Sequence, residues 1–338
     1  MNTTNRTIEL GAEEENVLRS LFNGEEYLAE NPDVAAAEID PIEHYVTSGY
    51  QERRSIGDSF DPDYYLTRNP DVAATGIDPI EHYITSGYQE GRLAKNNFSI
   101  EIVYGSGTEN FTPEMKAEIE AAADTWEDAI LQSTFEGDHT LEISVGGREL
   151  EERDTQDEAD PFHGKTPIAV GGALPDHIQL DANNNLLPTK GIVAVNTSDD
   201  MIQSFQDNPE NFGNIITHEL GHAMGLSTFF WKENNLIDPI TGVYYSDTNA
   251  GEAYHRLYNT DGDIPLATDG ESGISGHWDE EIFGNELMTP QKESLGISMP
   301  LSEITLGSLE DIGWNVFYGA AEPFPDFDTN ASLGFDPL

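Results

Sequence analysis

The stretch Ile215-Ile216-Thr217-His218-Glu219-Leu220-Gly221-His222-Ala223-Met224-Gly225 decides how this chain is read. Residues four apart on an α-helix share one face, so the imidazoles of His218 and His222 can reach one metal ion, with Glu219 beside them. This His-Glu-x-x-His spacing holds a hydrolytic zinc ion on a helix. Ile215, Ile216, Leu220, Ala223 and Met224 make the segment apolar, as a buried active-site helix needs to be; a surface helix with two unrelated histidines would not be. Asn208-Pro209 can start the helix, and Gly225 lets it end and the chain turn.

A catalytic zinc takes three protein ligands and keeps one position open. His218 and His222 supply two. Glu219 is expected to act as a base rather than a ligand. In the metzincin pattern the third histidine comes three residues after the glycine. That position here is Thr228, not a credible ligand, so the third must come from farther on. The best candidate is His277, which follows His222 by 55 residues, in Gly276-His277-Trp278-Asp279-Glu280-Glu281-Ile282-Phe283-Gly284-Asn285-Glu286-Leu287-Met288-Thr289-Pro290. His255 is a rival, and Glu252 would suit a glutamate-type zinc site, although no Glu-x-x-x-Asp pattern starts there. His139, His163 and His177 read as solvated loop residues.

These motifs closely resemble the leishmanolysin family of metzincins, in which an insertion separates the glycine from a third histidine. There a His-Trp-acidic run and Glu-Leu-Met-Thr-like residues follow. Ser308-Leu309-Glu310-Asp311-Ile312-Gly313-Trp314 is similar to the closing helix of that family. The likeness covers roughly Phe98 to Ala321. It implies a metalloendopeptidase with one catalytic Zn2+ held by His218, His222 and His277, with Glu219 as general base and Met288 in a supporting Met-turn. It also implies an α+β fold, with a twisted mixed sheet above the active-site helix, and a protein or peptide substrate. Leishmanolysin itself is cysteine-rich; this chain has no cysteine, so a cysteine latency switch does not carry over, and the bacterial, cysteine-free branch is the nearer comparison.

Outward from the motif, alternation marks Phe98-Ser99-Ile100-Glu101-Ile102-Val103-Tyr104 and Leu141-Glu142-Ile143-Ser144-Val145 as strands. Thr112-Pro113-Glu114 opens a helix with Met115, Ile119, Ala122, Ala123, Trp126 and Ile130 on one face. A polar loop is expected from Gly146 to Pro167. Either Ile168-Ala169-Val170-Gly171-Gly172 or Gly191-Ile192-Val193-Ala194-Val195 can supply the edge strand that pairs with an extended substrate.

Ahead of this domain lies a tandem repeat. Asn31-Pro32-Asp33-Val34-Ala35-Ala36 matches Asn69-Pro70-Asp71-Val72-Ala73-Ala74, and Asp40-Pro41-Ile42-Glu43-His44-Tyr45 matches Asp78-Pro79-Ile80-Glu81-His82-Tyr83, a period of 38 (70 − 32). Each copy reads as two or three short helices: Asp-Pro caps a helix start, and Ser48-Gly49-Tyr50 and Ser86-Gly87-Tyr88 look like helix exits. His44 and His82 read as packing residues beside Tyr45 and Tyr83. The pair resembles short repeats of exported or surface proteins of bacteria, notably cyanobacteria. The domain plan is an N-terminal segment 1–20, all-α repeats 21–97, the peptidase-like domain 98–321 and an acidic tail 322–338.

The 338 residues carry 15 Lys+Arg against 64 Asp+Glu, a net charge of −49. Such a charge disfavours nucleic acid and anionic membranes as partners. No run approaches a membrane span, and the polar start lacks the pattern of a secretory signal. An extracellular or cell-surface location is the expectation, by an export route that this start does not reveal. Asp181-Ala182-Asn183-Asn184-Asn185 and Asp261-Gly262-Asp263 are oxygen-rich turns of the kind Ca2+ favours, without EF-hand spacing; Asx turns are the plainer reading. The functional alternative is a non-catalytic adhesion protein whose repeats bind a partner.

Overall fold

The computed structural model describes residues 10–324 apart from positions 51, 53, 58, 133, 136–137, 152–165, 239, 269–273 and 292–296; His163 and most of the acidic tail lie outside the described residues. The chain divides into two units, 1–96 and 97–338, each with its own apolar core. No helix among the described residues is long and apolar enough to cross a membrane.

The first unit is all helical: α1 (Ala12–Leu21), then α2 (Gly24–Glu30), α3 (Pro32–Ala37) and α4 (Pro41–His44) in one repeat, and α5 (Pro62–Arg68), α6 (Pro70–Thr75) and α7 (Pro79–His82) in the other. Asp40 and Asp78 cap α4 and α7, each accepting two backbone N–H groups at 2.9–3.3 Å. The two repeats share their polar bonds as well as their helices. Arg54 grips Asp33 through two nitrogens and also bonds Asn31, and Arg92 does the same with Asp71 and Asn69. The Tyr27 hydroxyl lies 2.9 Å from His44 Nδ1, and the Tyr65 hydroxyl 2.8 Å from His82 Nδ1. The histidines thus do pack between helices, but their polar partner is the tyrosine 17 residues upstream.

The helical segments end at Gly49 and Gly87 as expected, but not through a left-handed glycine. The helical path runs on as a π turn through Tyr45–Gly49 and Tyr83–Gly87, and neither glycine has a positive φ. Glycine is needed because the Tyr27 and Tyr65 hydroxyls occupy the space a Cβ would take. A hydrogen bond from Tyr50 to Glu81, 2.5 Å, joins the two copies.

The second unit is α+β with a mixed sheet. Strand β1 (Phe98–Tyr104), helix α8 (Pro113–Ala129) and β3 (His139–Arg148) form a parallel strand–helix–strand crossover, with the short β2 (Ile130–Gln132) between α8 and β3. Thr112 caps α8, whose buried face is Met115, Ile119, Ala122, Ala123 and Trp126; Ile130 falls beyond the helix end, in β2. The edge strand β4 (Ala169–Ala173) is antiparallel to its neighbour β7 (Lys190–Asn196), giving the order β1-β3-β7-β4. Between them β5 (Ile178–Leu180) and β6 (Leu186–Pro188) form a hairpin. At its tip Asp181 accepts the backbone N–H groups of Asn183 (2.8 Å) and Asn185 (2.7 Å), an Asx turn.

Helix α9 (Asp199–Asp207) leads into α10 (Pro209–Ala223), which packs against α8, β4 and β7. Beyond it come α11 (Thr228–Glu233), β8 (Ile237–Asp238), β9 (Val243–Tyr244), α12 (Asn249–Tyr258), β10 (Ile264–Thr268), β11 (Ile274–Trp278), α13 (Glu280–Phe283), α14 (Glu303–Ile312) and β12 (Asn315–Val316). Strands β8 to β11 make a second, antiparallel sheet, and β12 pairs with β2. Phe324, at the start of the tail, is buried and packs on Tyr258.

The solvated-loop reading of His139 is corrected by the structure. It opens β3, is 8 % exposed, and sits among Phe98, Phe135 and Trp314 with neither ring nitrogen hydrogen-bonded. Alternation along β3 continues back past Leu141, which turns this position inward. Burial without a partner holds its pKa down to about 4, against 6.5 ordinarily. The unfolded chain therefore takes up the proton first as pH falls. The stability that neutral His139 allows is complete above pH 6.5 and is lost on descending towards pH 4, by about 3 kcal/mol. Replacing it with leucine is expected to abolish this loss, read as a smaller drop in urea-unfolding stability between pH 7 and pH 4 than in the parent chain.

Candidate metal centre

Helix α10 carries His218, Glu219 and His222, and its position is over-determined. Indole Nε1 of Trp126 donates to the Thr217 carbonyl at 2.8 Å, and that of Trp314 to the Met224 carbonyl at 2.9 Å. Gly221 faces the Met288 sulfur and the Trp126 ring, and a Cβ there would stand 2.9 Å and 3.0 Å from them. On the other side Gly171 of β4 lies flush against the Glu219 backbone, so that a side chain would separate strand from helix. After Met224 the chain turns at Gly225, with φ of +109°.

The third histidine arrives on β11. His277 Nε2 lies 3.2 Å from His218 Nε2 and 3.0 Å from His222 Nε2, and the latter two are 3.1 Å apart. Among the described residues this trio is the only His, Cys, Asp or Glu cluster with the spacing of a metal site. His255 is elsewhere, with its Nε2 3.1 Å from the Gly262 carbonyl; Glu252 is exposed on α12; Thr228 begins α11; His177 lies half-buried in a short 3-10 turn.

The protonation pattern follows from the second nitrogens. His218 Nδ1 is 2.7 Å from the Leu287 carbonyl and His222 Nδ1 is 2.6 Å from the Leu226 carbonyl. A carbonyl only accepts, so both Nδ1 atoms carry the proton. Burial lowers both pKa values and takes His218 down to about 3; a second cause is that the two rings are too close for both to be protonated. Their Nε2 atoms then present lone pairs to each other, and the short Nε2 separations are not hydrogen bonds. Because Ser275 Oγ donates to the Ala267 carbonyl, it accepts from His277 Nδ1, so His277 Nε2 is a third lone pair, and three such atoms about 3 Å apart repel one another unless a cation stands between them. One ion at the usual zinc–nitrogen distance of about 2.0–2.1 Å reaches all three. The donor set therefore fits zinc, the ion that three imidazoles suit. On the third ring, Nδ1 lies 3.2 Å from Ser275 Oγ, which is itself 3.2 Å from the Ala267 carbonyl.

Glu219 is 8 % exposed. Burial pushes its carboxyl up to about 7, with the Gly171 amide pulling the other way. It faces a cavity of about 920 Å³ shared by β4, α10, α11 and β11. Ile168, Val170, Ile215, Phe229, Ile274 and Met299 give the walls an apolar character, and among the described residues the lining contains no Lys or Arg. Among the described residues β4 pairs only with β7 and borders the cavity, while β7 is flanked on both sides, so β4 is the edge strand of the two. Met288 is buried beneath α10. Reading the sequence missed the carbonyls of Leu226 and Leu287, since a main-chain acceptor leaves no residue-type signal.

No family model matches this chain, and no curated protein matches it. If the trio is the metal site, His277→Ala is expected to lower zinc retention through dialysis far more than His255→Ala, measured as metal per chain. Equal retention in both variants would place the third ligand elsewhere.

Proposed function

We propose that this chain is a zinc-dependent metalloendopeptidase of the metzincin type, with leishmanolysin-like organisation. The observation that carries the proposal is the convergence of three imidazole Nε2 atoms, 3.0–3.2 Å apart, beside a buried carboxyl at the floor of an apolar cleft. A zinc ion held by His218, His222 and His277 would supply Lewis acidity, polarising a scissile carbonyl and acidifying a water.

The chain's own groups do the rest. Glu219, whose carboxyl burial alone pushes up and a bound cation would pull back down, can take the proton of the attacking water and hand it to the departing amine nitrogen. Strand β4, with one edge unpaired among the described residues, would let an extended peptide pair in β fashion along the cleft. The apolar walls then receive substrate side chains, and Gly171 keeps the strand close enough to Glu219 for the scissile bond to lie beside it. Proteins or peptides are the substrates this reading implies, and an extracellular or cell-surface location belongs to the same proposal.

Glu219→Ala is expected to keep zinc while casein cleavage falls by at least about 100-fold. Peptidase activity equal to that of the parent would sink the assignment. A parent chain that stays metal-free and inactive after zinc is resupplied would favour the adhesion reading.

A further inference from the structure

Glu286 is wholly buried, and four donors converge on its carboxylate. Oε2 accepts the Met288 N–H at 2.6 Å. Oε1 accepts the Ser302 hydroxyl (2.6 Å), the Thr305 hydroxyl (2.5 Å) and the Ser302 N–H (3.3 Å). The Thr305 hydroxyl in turn accepts from Trp278 Nε1 at 2.8 Å, and the Ser302 hydroxyl accepts the Thr305 N–H at 3.2 Å, so both hydroxyl protons are directed at Glu286. Four donors pointing inward favour the carboxylate form, while burial works against it and pushes the Glu286 pKa up. The group stands at the N-terminus of α14, where the helix dipole favours a negative charge. Burying a carboxylate is costly before such compensation, so an apolar side chain would be the simpler filling here.

What the carboxylate holds explains its presence. One of its oxygens anchors the amide of Met288, whose carbonyl accepts the Trp278 N–H at 3.0 Å. The residue between them in the turn, Leu287, offers the carbonyl that orients His218. The other oxygen reaches the Trp278 indole through Thr305, and Trp278 directly follows His277. One anion thus ties together the turn behind the first histidine and the strand end that carries the third.

We infer that Glu286 is a positioning residue for the metal centre, clamping the Leu287–Met288 turn and the end of β11 so that His218 and His277 meet at bonding distance. The inference rests on the metal-site reading above but not on peptide cleavage. Glutamine in its place presents an NH2 group to one set of donors. The hydroxyls can rotate to adapt, but a backbone N–H faces each oxygen, Met288 on one and Ser302 on the other, so whichever way the amide turns its NH2 group opposes one of them and that anchor is lost.

The test compares Glu286→Gln, Thr305→Val and, as a control, Asp311→Asn. Asp311 is another largely buried carboxylate, but its partners are the backbone of Asn249 and Ala250 and the Tyr244 hydroxyl. Zinc affinity by chelator competition, the visible spectrum of the cobalt(II)-substituted protein and thermal stability are measured on each. Glu286→Gln is expected to weaken zinc binding about 10–100-fold, and to change the cobalt spectrum. Thr305→Val, milder and a safeguard should the glutamine variant not fold, is expected to shift both in the same direction by less. Asp311→Asn is expected to lose stability with metal affinity and spectrum unchanged. Parental affinity and spectrum in Glu286→Gln, or in Thr305→Val if only that variant folds, would overturn the inference, as would an equal shift in Asp311→Asn. Failure of casein cleavage in the parent chain would remove the peptidase reading alone, because the zinc and cobalt readouts do not depend on it.

Discussion

Three imidazole lone pairs held about 3 Å apart are an arrangement that no isolated peptide would keep, and the second unit is organised around holding them. The restraint comes from the opposite side of each ring. Carbonyls of Leu287 and Leu226 fix the tautomers of the two helix histidines, and both carbonyls belong to turns pinned by tertiary bonds. Two tryptophan indoles fasten α10, one at the Thr217 carbonyl and one at the Met224 carbonyl at its C-terminal end. The repulsion among the nitrogens is thereby made available to a cation, and the proposed chemistry follows from that pre-organisation.

Close approach is the second theme. Gly171 and Gly221 both lie where helix α10 meets its neighbours too tightly for a side chain. The first brings the edge strand β4 against Glu219; the second seats Met288 under the helix. The resulting low-dielectric floor is what raises the Glu219 carboxyl, and a bound cation would pull it back down. The same burial leaves the cleft walls apolar.

The repeat unit applies a different economy. Short helices that could not persist alone are joined by a recurring set of polar bonds: an Asp cap, an Arg–Asp–Asn clamp and a Tyr–His pair over glycine. Because each bond recurs 38 residues on, the repeat seen in sequence is a repeat of interactions and not merely of helix propensity.

Sequence alone was informative wherever a local period or spacing carries the physics. The i, i+4 histidines on one helix face, the alternating strands β1 and β3, the Asp-Pro caps and the Asp181 turn were all legible, since each depends on neighbours within a few residues. His277 could be proposed from its motif, but its distance from His222 was decided by the antiparallel sheet that returns the chain across the intervening residues. The choice of β4 over β7 as the edge strand required strand order, which a strand's own pattern does not encode. His139 was misread because a histidine's burial depends on what packs over it, here Phe98, Phe135 and Trp314 from distant parts of the chain. Glu286 lay in plain view within Glu-Leu-Met-Thr, yet its environment exists only once α14 brings Ser302 and Thr305 onto it. Spacing determined which side chains were able to meet; tertiary packing decided which did, because burial, tautomer and pKa belong to the assembled surroundings and not to the residue.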